Sequence, residues 1–364
     1  MRIETSVSAF LTTAVLLFAM PGIADDEHHE ALLAELPASG HAVVSTVPAN
    51  GDVNPYGVAF VPHGFRKHGS PLNSGDVLVS NFNDSANAQG TGTTIVRITP
   101  GGVQSLFFQA PAGVGLTTAL GVLRTGFVVV GNLPADAMGN VHQGSLFILD
   151  ASANVVMNLV SSTLLDGPWD LTIHEQGERA QIFVSNVLSG TVTRLDLSVE
   201  EGKAKTLTVQ HMTQIASGYN HHLDPNALVV GPTGLAYDAE RDILYVASTG
   251  DNAIFAVPQA RERSTDAGKG AVVYQDNTHL HGPLGLLLAP NGDLITANGD
   301  AVNPGGTQND LVEFTRQGQF VANFQVDSGA GGGAFGIAVT GSEGRLRFAA
   351  VDDDQNTLNI WTVR

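Results

Sequence analysis

One short phrase recurs six times along this chain of 364 residues, at intervals of about fifty to sixty residues. Each copy combines small residues, most often glycine, with an apolar run. The copies occupy residues 54–60, 118–123, 167–172, 231–236, 282–287 and 333–338. Each copy opens a group of short apolar segments, and no long helical pattern separates the copies. A period of this size with several strands per repeat is typical of a β-propeller, so six copies predict six blades.

The third repeat shows the strands of one blade most clearly. Strands are predicted over residues 169–174, 181–186, 191–197 and 206–212, with turn-forming residues between them. The sixth repeat has only three strands, whereas an apolar segment at residues 41–47 belongs to no repeat. We expect this segment to complete the last blade and so remove an open sheet edge. The predicted fold is all-β, a six-bladed propeller of four-stranded blades spanning residues 39–364.

The N-terminal residues have the pattern of an export signal. An apolar run at residues 10–20 is followed by small residues just before Ala24. We therefore predict a signal peptide at residues 1–24, with a retained anchor as the alternative, and a flexible acidic leader at residues 25–38. The expected location is periplasmic or secreted, in a bacterium.

The acidic composition of the chain excludes some classes of binding partner. The chain has 35 acidic and 17 basic side chains, a formal net charge of −18, and no cysteine. Because binding to phosphates requires basic patches, nucleic acid and anionic lipid are poor partners. We expect a monomer that binds a small molecule or a protein and, after signal cleavage, no membrane.

Strand order sorts the loops onto two faces. In a four-stranded meander, the start of the first strand, the end of the second strand and the linkers between blades share one face, called here the top face. The long loops at residues 83–92, 133–143, 217–230 and 299–309 belong to it. Since long loops on a rigid scaffold commonly carry function, we expect the site there. Two long loops on the bottom face, at residues 61–75 and 259–269, leave a second site open.

Oxygen-bearing side chains stand at the end of the second strand in every repeat. They are Asn81, Asn132, Asn186, Ser248, Asn298 and, one residue out of step, Asp352. With Asn54 and Asp170 at the starts of inner strands, such a set would suit a hard cation such as Ca²⁺, or less readily Zn²⁺. The alternative is that each asparagine caps its own turn in every copy of the repeat.

Single residues depart from the repeat. Asp170 stands where the other five phrases have glycine, and it follows Trp169, one of only two tryptophans. Departures of this kind concentrate at functional sites, although a structural role competes. His222 and His281 lie in neighbouring top linkers, where paired histidines would bind Zn²⁺ or transfer protons, and surface histidine is the alternative.

The blade text 232–238, Pro-Thr-Gly-Leu-Ala-Tyr-Asp, followed by Leu-Tyr-Val-Ala-Ser at 244–248, resembles NHL-repeat propellers. It is also similar to the six-bladed group that contains the senescence marker protein and gluconolactonase family. Members of that group hold a divalent cation at the propeller axis, where it polarises an ester carbonyl, and the resemblance implies the same for this chain. The metal ligands would then be Asn54, Asp170, Asn186 and Asp352, with Asp170 catalytic. The family's Glu-Gly-Pro phrase is absent, because Asp166 precedes Gly167.

Three functions follow as hypotheses. The first is an exported, non-catalytic propeller whose top face binds a ligand or protein, with Asn81, Asn132, Trp169, His222, His281 and Asn298 at the rim. The second is a metal-dependent lactonase or esterase. The third is a histidine-bound metal site of the kind found in amidating lyases. The sequence has no nucleophile-elbow or phosphate-loop motif, and no dinucleotide fingerprint between a predicted strand and a helix.

Overall fold

The computed structural model describes residues 30–66, 69–136, 138–200, 206–299, 302, 309–329, 331–342 and 345–363. They form six antiparallel sheets of four strands each, which confirms the predicted six-bladed propeller. The strands of blades one to three are β2 (Val53–Phe60), β3 (Val77–Asn83), β4 (Thr94–Ile98), β5 (Gln104–Gln109), β6 (Leu116–Val122), β7 (Phe127–Asn132), β8 (Ser145–Asp150), β9 (Val155–Leu159), β10 (Pro168–Gln176), β11 (Arg179–Asn186), β12 (Thr191–Glu200) and β13 (Thr206–Ser217). Those of blades four to six are β16 (Pro232–Asp238), β17 (Ile243–Ser248), β18 (Ala253–Pro258), β19 (Ala271–Tyr274), β20 (Pro283–Leu288), β21 (Leu294–Asn298), β22 (Leu311–Phe314), β23 (Phe320–Phe324), β24 (Ile337–Ser342), β25 (Arg345–Asp352), β26 (Thr357–Val363) and β1 (Gly40–Ser45).

The ring closes as expected from the sequence. Strand β1 pairs antiparallel with β26, from Gly40 opposite Thr362 to Ser45 opposite Thr357. His41 of β1 stacks on Trp361 of β26, with ring centroids 4.5 Å apart. The last blade therefore contains strands from both ends of the propeller, and its sheet has no missing outer strand.

Glycines let neighbouring blades approach closely at the inner strands. A Cβ on Gly234 would overlap backbone atoms of Leu284 and Leu286 in the next blade, and one on Gly336 would overlap the Tyr56 carbonyl oxygen. At these two positions the glycine of the phrase is thus a packing requirement, since only a residue without a side chain fits between two backbones.

Part of the predicted leader is folded, which corrects the expectation of a flexible segment at residues 30–38. A short helix, α1 (Leu32–Glu35), runs into a 3₁₀ turn over Leu36–Ala38. Leu32, Leu33 and Leu36 are buried in the cluster that contains Trp361. Both oxygens of buried Glu313 accept backbone N–H groups of the helix, from Leu32 at 3.0 Å and Leu33 at 2.8 Å. A buried carboxylate in β22 therefore fixes the start of a segment whose composition alone indicates disorder.

The predicted signal peptide lies outside the described residues. Within the described residues, no helix has the length and apolarity needed to cross a bilayer.

The linker between blades three and four contains a hairpin that was not predicted from the sequence. It is formed by β14 (His222–Asp224) and β15 (Leu228–Val230), and its turn is capped by Asp224.

Candidate functional site

A cavity of about 760 Å³ opens on the top face around the propeller axis. Its walls come from blades one, three, four, five and six, at the starts of inner strands and in the loops that follow second strands. Three of the four long top loops contribute residues, including Asn87 from residues 83–92 and Asn226 from residues 217–230. The expectation that long loops converge on this face is therefore confirmed.

The buried wall of the cavity is aromatic. Tyr56 stacks between Phe82 and Phe335, with centroid distances of 4.5 and 4.4 Å. Trp169 meets Tyr56 and Phe82 edge-on, at 5.9 and 5.5 Å. Tyr56, Trp169 and Phe335 also line the cavity. Interlocked rings from three blades form a rigid apolar surface suited to a flat or hydrophobic part of a ligand.

Polar atoms above this surface lack protein partners. Trp169 is 3% exposed and Asn83 is 2% exposed. Among the described residues, nothing pairs with the indole N–H of Trp169, Oδ1 of Asn83 or Oδ1 of Asn54, although all three atoms are buried. Since a buried polar atom without a hydrogen bond costs free energy, these three atoms are candidates to contact a ligand.

Amides and carboxylates complete the lining. Six side-chain amides surround the space: Asn54, Asn83, Asn87, Gln89, Asn226 and Asn356. Asp353 and Asp354, which follow β25, supply two acidic groups. No lysine or arginine lines the cavity among the described residues. The potential inside is therefore negative, which disfavours anions and favours neutral or cationic molecules.

The hairpin β14–β15 and the first top loop meet over the cavity. Nε2 of Gln89 donates a 2.8 Å hydrogen bond to the carbonyl of Asn226 at the hairpin turn. Val229 of β15 packs in the same hydrophobic cluster as Trp169 and Tyr56. These contacts hold the amide-bearing loops in place over the aromatic wall.

The amides at the ends of the second strands have a structural role in most blades. The strand register aligns the six residues at the ends of the second strands, namely Asn81, Asn132, Asn186, Ser248, Asn298 and Asp352. Each lies two residues after the second-strand residue that pairs with Val58, Leu120, Leu171, Leu235, Leu286 or Ile337 of the inner strand. Asp352 is therefore aligned with the other five. Asn186 donates to the Leu164 carbonyl and accepts from the Asp166 N–H. Asn298 accepts from the His281 N–H and donates to the His279 carbonyl. None of the six lines the cavity. Asn186 and Asn298 therefore bind the backbone of the linker that precedes their blade, which is a structural role but not capping of their own turns.

Asp170 lies between blades rather than in the cavity. Its backbone N–H donates to Ser185 Oγ, and its Oδ1 accepts the Leu171 N–H at 2.7 Å. The N–H of Leu235, on the inner strand of blade four, also bonds to this carboxyl group. Burial raises the pKa of Asp170 to about 8, against the effect of these two backbone donors.

Register also corrects the sequence comparison that singled Asp170 out. Leu171 pairs with Val184 in blade three, and Leu120 pairs with Val130 in blade two. The residue equivalent to Asp170 in blade two is therefore Ala119, not a glycine. The shift arises because the strand irregularity in β6 contains one more residue than those in other blades.

The four residues predicted to bind a cation do not form a common site in the described structure. Asn54 lines the cavity, whereas Asp170, Asn186 and Asp352 do not. Oδ1 of Asp352 accepts the N–H of Gln355, and burial together with nearby carboxylates raises the pKa of Asp352 to about 6. Among the described residues, no three His, Asp or Glu side chains are grouped as metal ligands. The four side chains therefore do not share the cavity as a set of oxygen ligands for Ca²⁺.

The two predicted histidines lie outside the cavity wall. Nε2 of His222, a largely exposed ring, lies 3.8 Å from Asp224. Neither His222 nor His281 lines the cavity. By contrast, Asn83, Asn87 and Asp353 were missed, because the repeat comparison stops at the second-strand end and these residues lie just beyond it. The run of three aspartates at 352–354 was the one sequence signal for this wall.

Comparisons with known proteins agree with the fold. No family model and no curated protein matches the chain. A solved structure of regucalcin from Agrobacterium tumefaciens strain C58, described as a calcium-binding protein, is 14% identical with a TM-score of 0.51, covering 88% of this chain and 94% of its own. A luciferin-regenerating enzyme is 10% identical with a TM-score of 0.49, covering 89% and 95%. The likeness to the regucalcin structure shows that the chain shares its fold.

Proposed function

We propose that this propeller binds a small, neutral or cationic organic molecule in its top-face cavity. The observation that carries the proposal is the set of buried, unpartnered polar atoms on Trp169, Asn83 and Asn54 beside an aromatic wall. A ligand with an apolar face and both donor and acceptor groups would satisfy these atoms and displace water from the rings. The scaffold supplies rigid placement, and we propose that it does so in the periplasm or outside the cell.

The position of Trp169 provides a direct assay. Trp361, the other tryptophan, is buried in blade six, so a Trp361→Phe protein reports fluorescence from the cavity alone. Neutral lactones, neutral sugars and aromatic amines form the first panel of probes. We expect at least one probe to change the Trp169 emission saturably, whereas matched anionic acids leave it unchanged.

A pair of variants separates cavity binding from general effects. Asn83→Ala removes an unpartnered acceptor from the wall, and we expect about tenfold weaker binding of the probe, since hydrogen bonds to buried groups are worth roughly 1 to 2 kcal/mol. Asn158→Ala removes an exposed amide in β9 and should bind normally. Equal affinity in both variants, or no saturable response to any probe, would contradict the proposed binding site.

A metal-dependent lactonase or esterase is the alternative function, and it has less support because only Asn54 of its expected ligands lines the cavity. Elemental analysis of purified protein beside Asp170→Asn tests it without assuming a substrate. One equivalent of calcium or zinc that is lost in the variant, together with turnover of lactones or aryl esters, would favour the hydrolase. Binding without metal or turnover would favour the small-molecule-binding function.

A further inference from the structure

A second concave site lies on the bottom face, between blades three and four. It is a cleft of about 540 Å³ along the β10–β11 hairpin, reached from blade four by the loop at residues 259–269. Arg179 of the hairpin and Arg261 of the loop lie in its wall, with His174 and His211. No residue of the top-face cavity belongs to this cleft.

The charge of this cleft is opposite to that of the chain. The protein has a net charge of −18, yet two arginines and two histidines converge here. Among the described residues of the cleft wall, the one acidic side chain is that of Asp196, and it is already bound. Its Oδ2 lies 3.1 Å from a guanidinium nitrogen of Arg194, and its Oδ1 accepts Nε2 of Gln181 at 2.6 Å.

The two arginines of the cleft have hydrogen-bond donors that are not used by the described part of the protein. Within the described ranges, the guanidinium groups of Arg179 and Arg261 make no hydrogen bond or ion pair with protein. Arg261 is instead held through its backbone, because its N–H donates to Asp242 Oδ1 and its carbonyl accepts from Gln181. Asp242 is also bound by the Tyr237 hydroxyl at 2.8 Å. The loop is therefore fixed while the guanidinium remains available.

His174 adds a buried polar atom. Its ring packs edge-on against Tyr237, with centroids 5.1 Å apart, and its Nε2 is buried without a partner among the residues described. Burial and the charge of Arg261 lower the pKa of His174, while Asp242 opposes this shift. An anion in the cleft would offset the arginine charge and accept a hydrogen bond from the ring.

We propose that this cleft binds a small oxyanion, namely the phosphate or carboxylate group of a small molecule. Guanidinium groups present paired donors that match both kinds of oxyanion, and two arginines with a histidine supply enough of them to hold one group. The bound Asp196 leaves little negative charge to compete. The site is independent of the cavity and of its proposed ligand.

Calorimetric titration of the whole protein at low ionic strength tests this inference, with inorganic phosphate and succinate as separate probes. Saturable binding of either probe supports the site, and the better probe shows which oxyanion it prefers. Absence of binding for both probes would overturn the proposal.

Charge-matched variants locate the binding. We expect Arg179→Gln and Arg261→Gln each to weaken the better probe by at least about tenfold, because hydrogen bonds to charged groups are the strong ones. Arg179 is exposed and has no protein partner among the described residues, so its replacement should leave folding intact. Arg345→Gln removes an exposed arginine of blade six and should bind normally. Equal weakening in all three variants would show a general charge effect and refute the cleft.

Discussion

Replacing Asp170 by asparagine should stabilise the protein increasingly as pH rises. Asp170 is buried between blades three and four, where burial raises the pKa of its carboxyl to about 8 from the ordinary 3.8. Between these two values the unfolded chain has lost a proton that the folded chain retains, so wild-type stability falls as pH increases. Asparagine keeps Oδ1 for the backbone N–H of Leu171 and has no acidic proton to lose.

The size of the effect follows from the pKa difference. Each unit of pKa shift corresponds to about 1.4 kcal/mol, so the stability advantage of the variant should grow by about 4 kcal/mol from pH 5 to pH 8. It should level off above pH 8, where folded Asp170 also ionises. Other groups with raised pKa values, such as Asp352, are present in both proteins and cancel from the difference.

Urea unfolding of both proteins at half-unit pH steps measures this difference. Asp224→Asn is the matched control, because backbone donors lower the pKa of Asp224 and its contribution to stability should be constant between pH 5 and 8. If the wild-type and Asp170→Asn curves run parallel over that range, Asp170 is ionised in the folded protein and the reasoning from burial is wrong.

Three further predictions concern the scaffold. Deleting residues 39–48 removes β1 and should collapse thermal stability; an unchanged melting temperature would disprove closure by this strand. Gly336→Ala should cost about 1 to 3 kcal/mol in urea unfolding, because its Cβ would overlap the next blade, whereas Gly40→Ala has open space and should be neutral. Glu313→Gln should lose about 1 to 3 kcal/mol and speed hydrogen exchange at α1, since its carboxylate accepts two helix N–H groups; exchange as slow as in exposed Glu240→Gln would contradict this docking.

The fold could be predicted because the sequence repeats one pattern of strands and turns. Each blade repeats the same alternation of apolar strands and turns, so the four strands of blade three were predicted close to their observed bounds. Position along the second strand was also correct in five blades, whereas Asp352 was expected one residue out of step and is aligned with the others. Asp170 was compared with the wrong residue of blade two, a glycine instead of Ala119, because β6 has one extra residue at its irregularity. Sequence spacing does not reveal this extra residue, since strand pairing defines which positions are equivalent.

The cavity was harder to predict because its residues are not repeated. Asn83, Asn226 and Asp353 reach the same space from three loops of different length and path, and no period relates them. Helix α1 was missed for a different reason. Four residues do not form a stable helix alone, so this one depends on Glu313, which lies far along the chain.

Closure of the last blade by β1 also sets the order of events in folding. Gly40 faces Thr362, so this pairing joins residues about 320 positions apart, one of the most distant contacts that the chain can make. During synthesis, residues 40–45 have no partner until β26 has been made. Their row of unpaired backbone groups is meanwhile open to other strands. We expect ring closure to be the slow and concentration-sensitive step of folding.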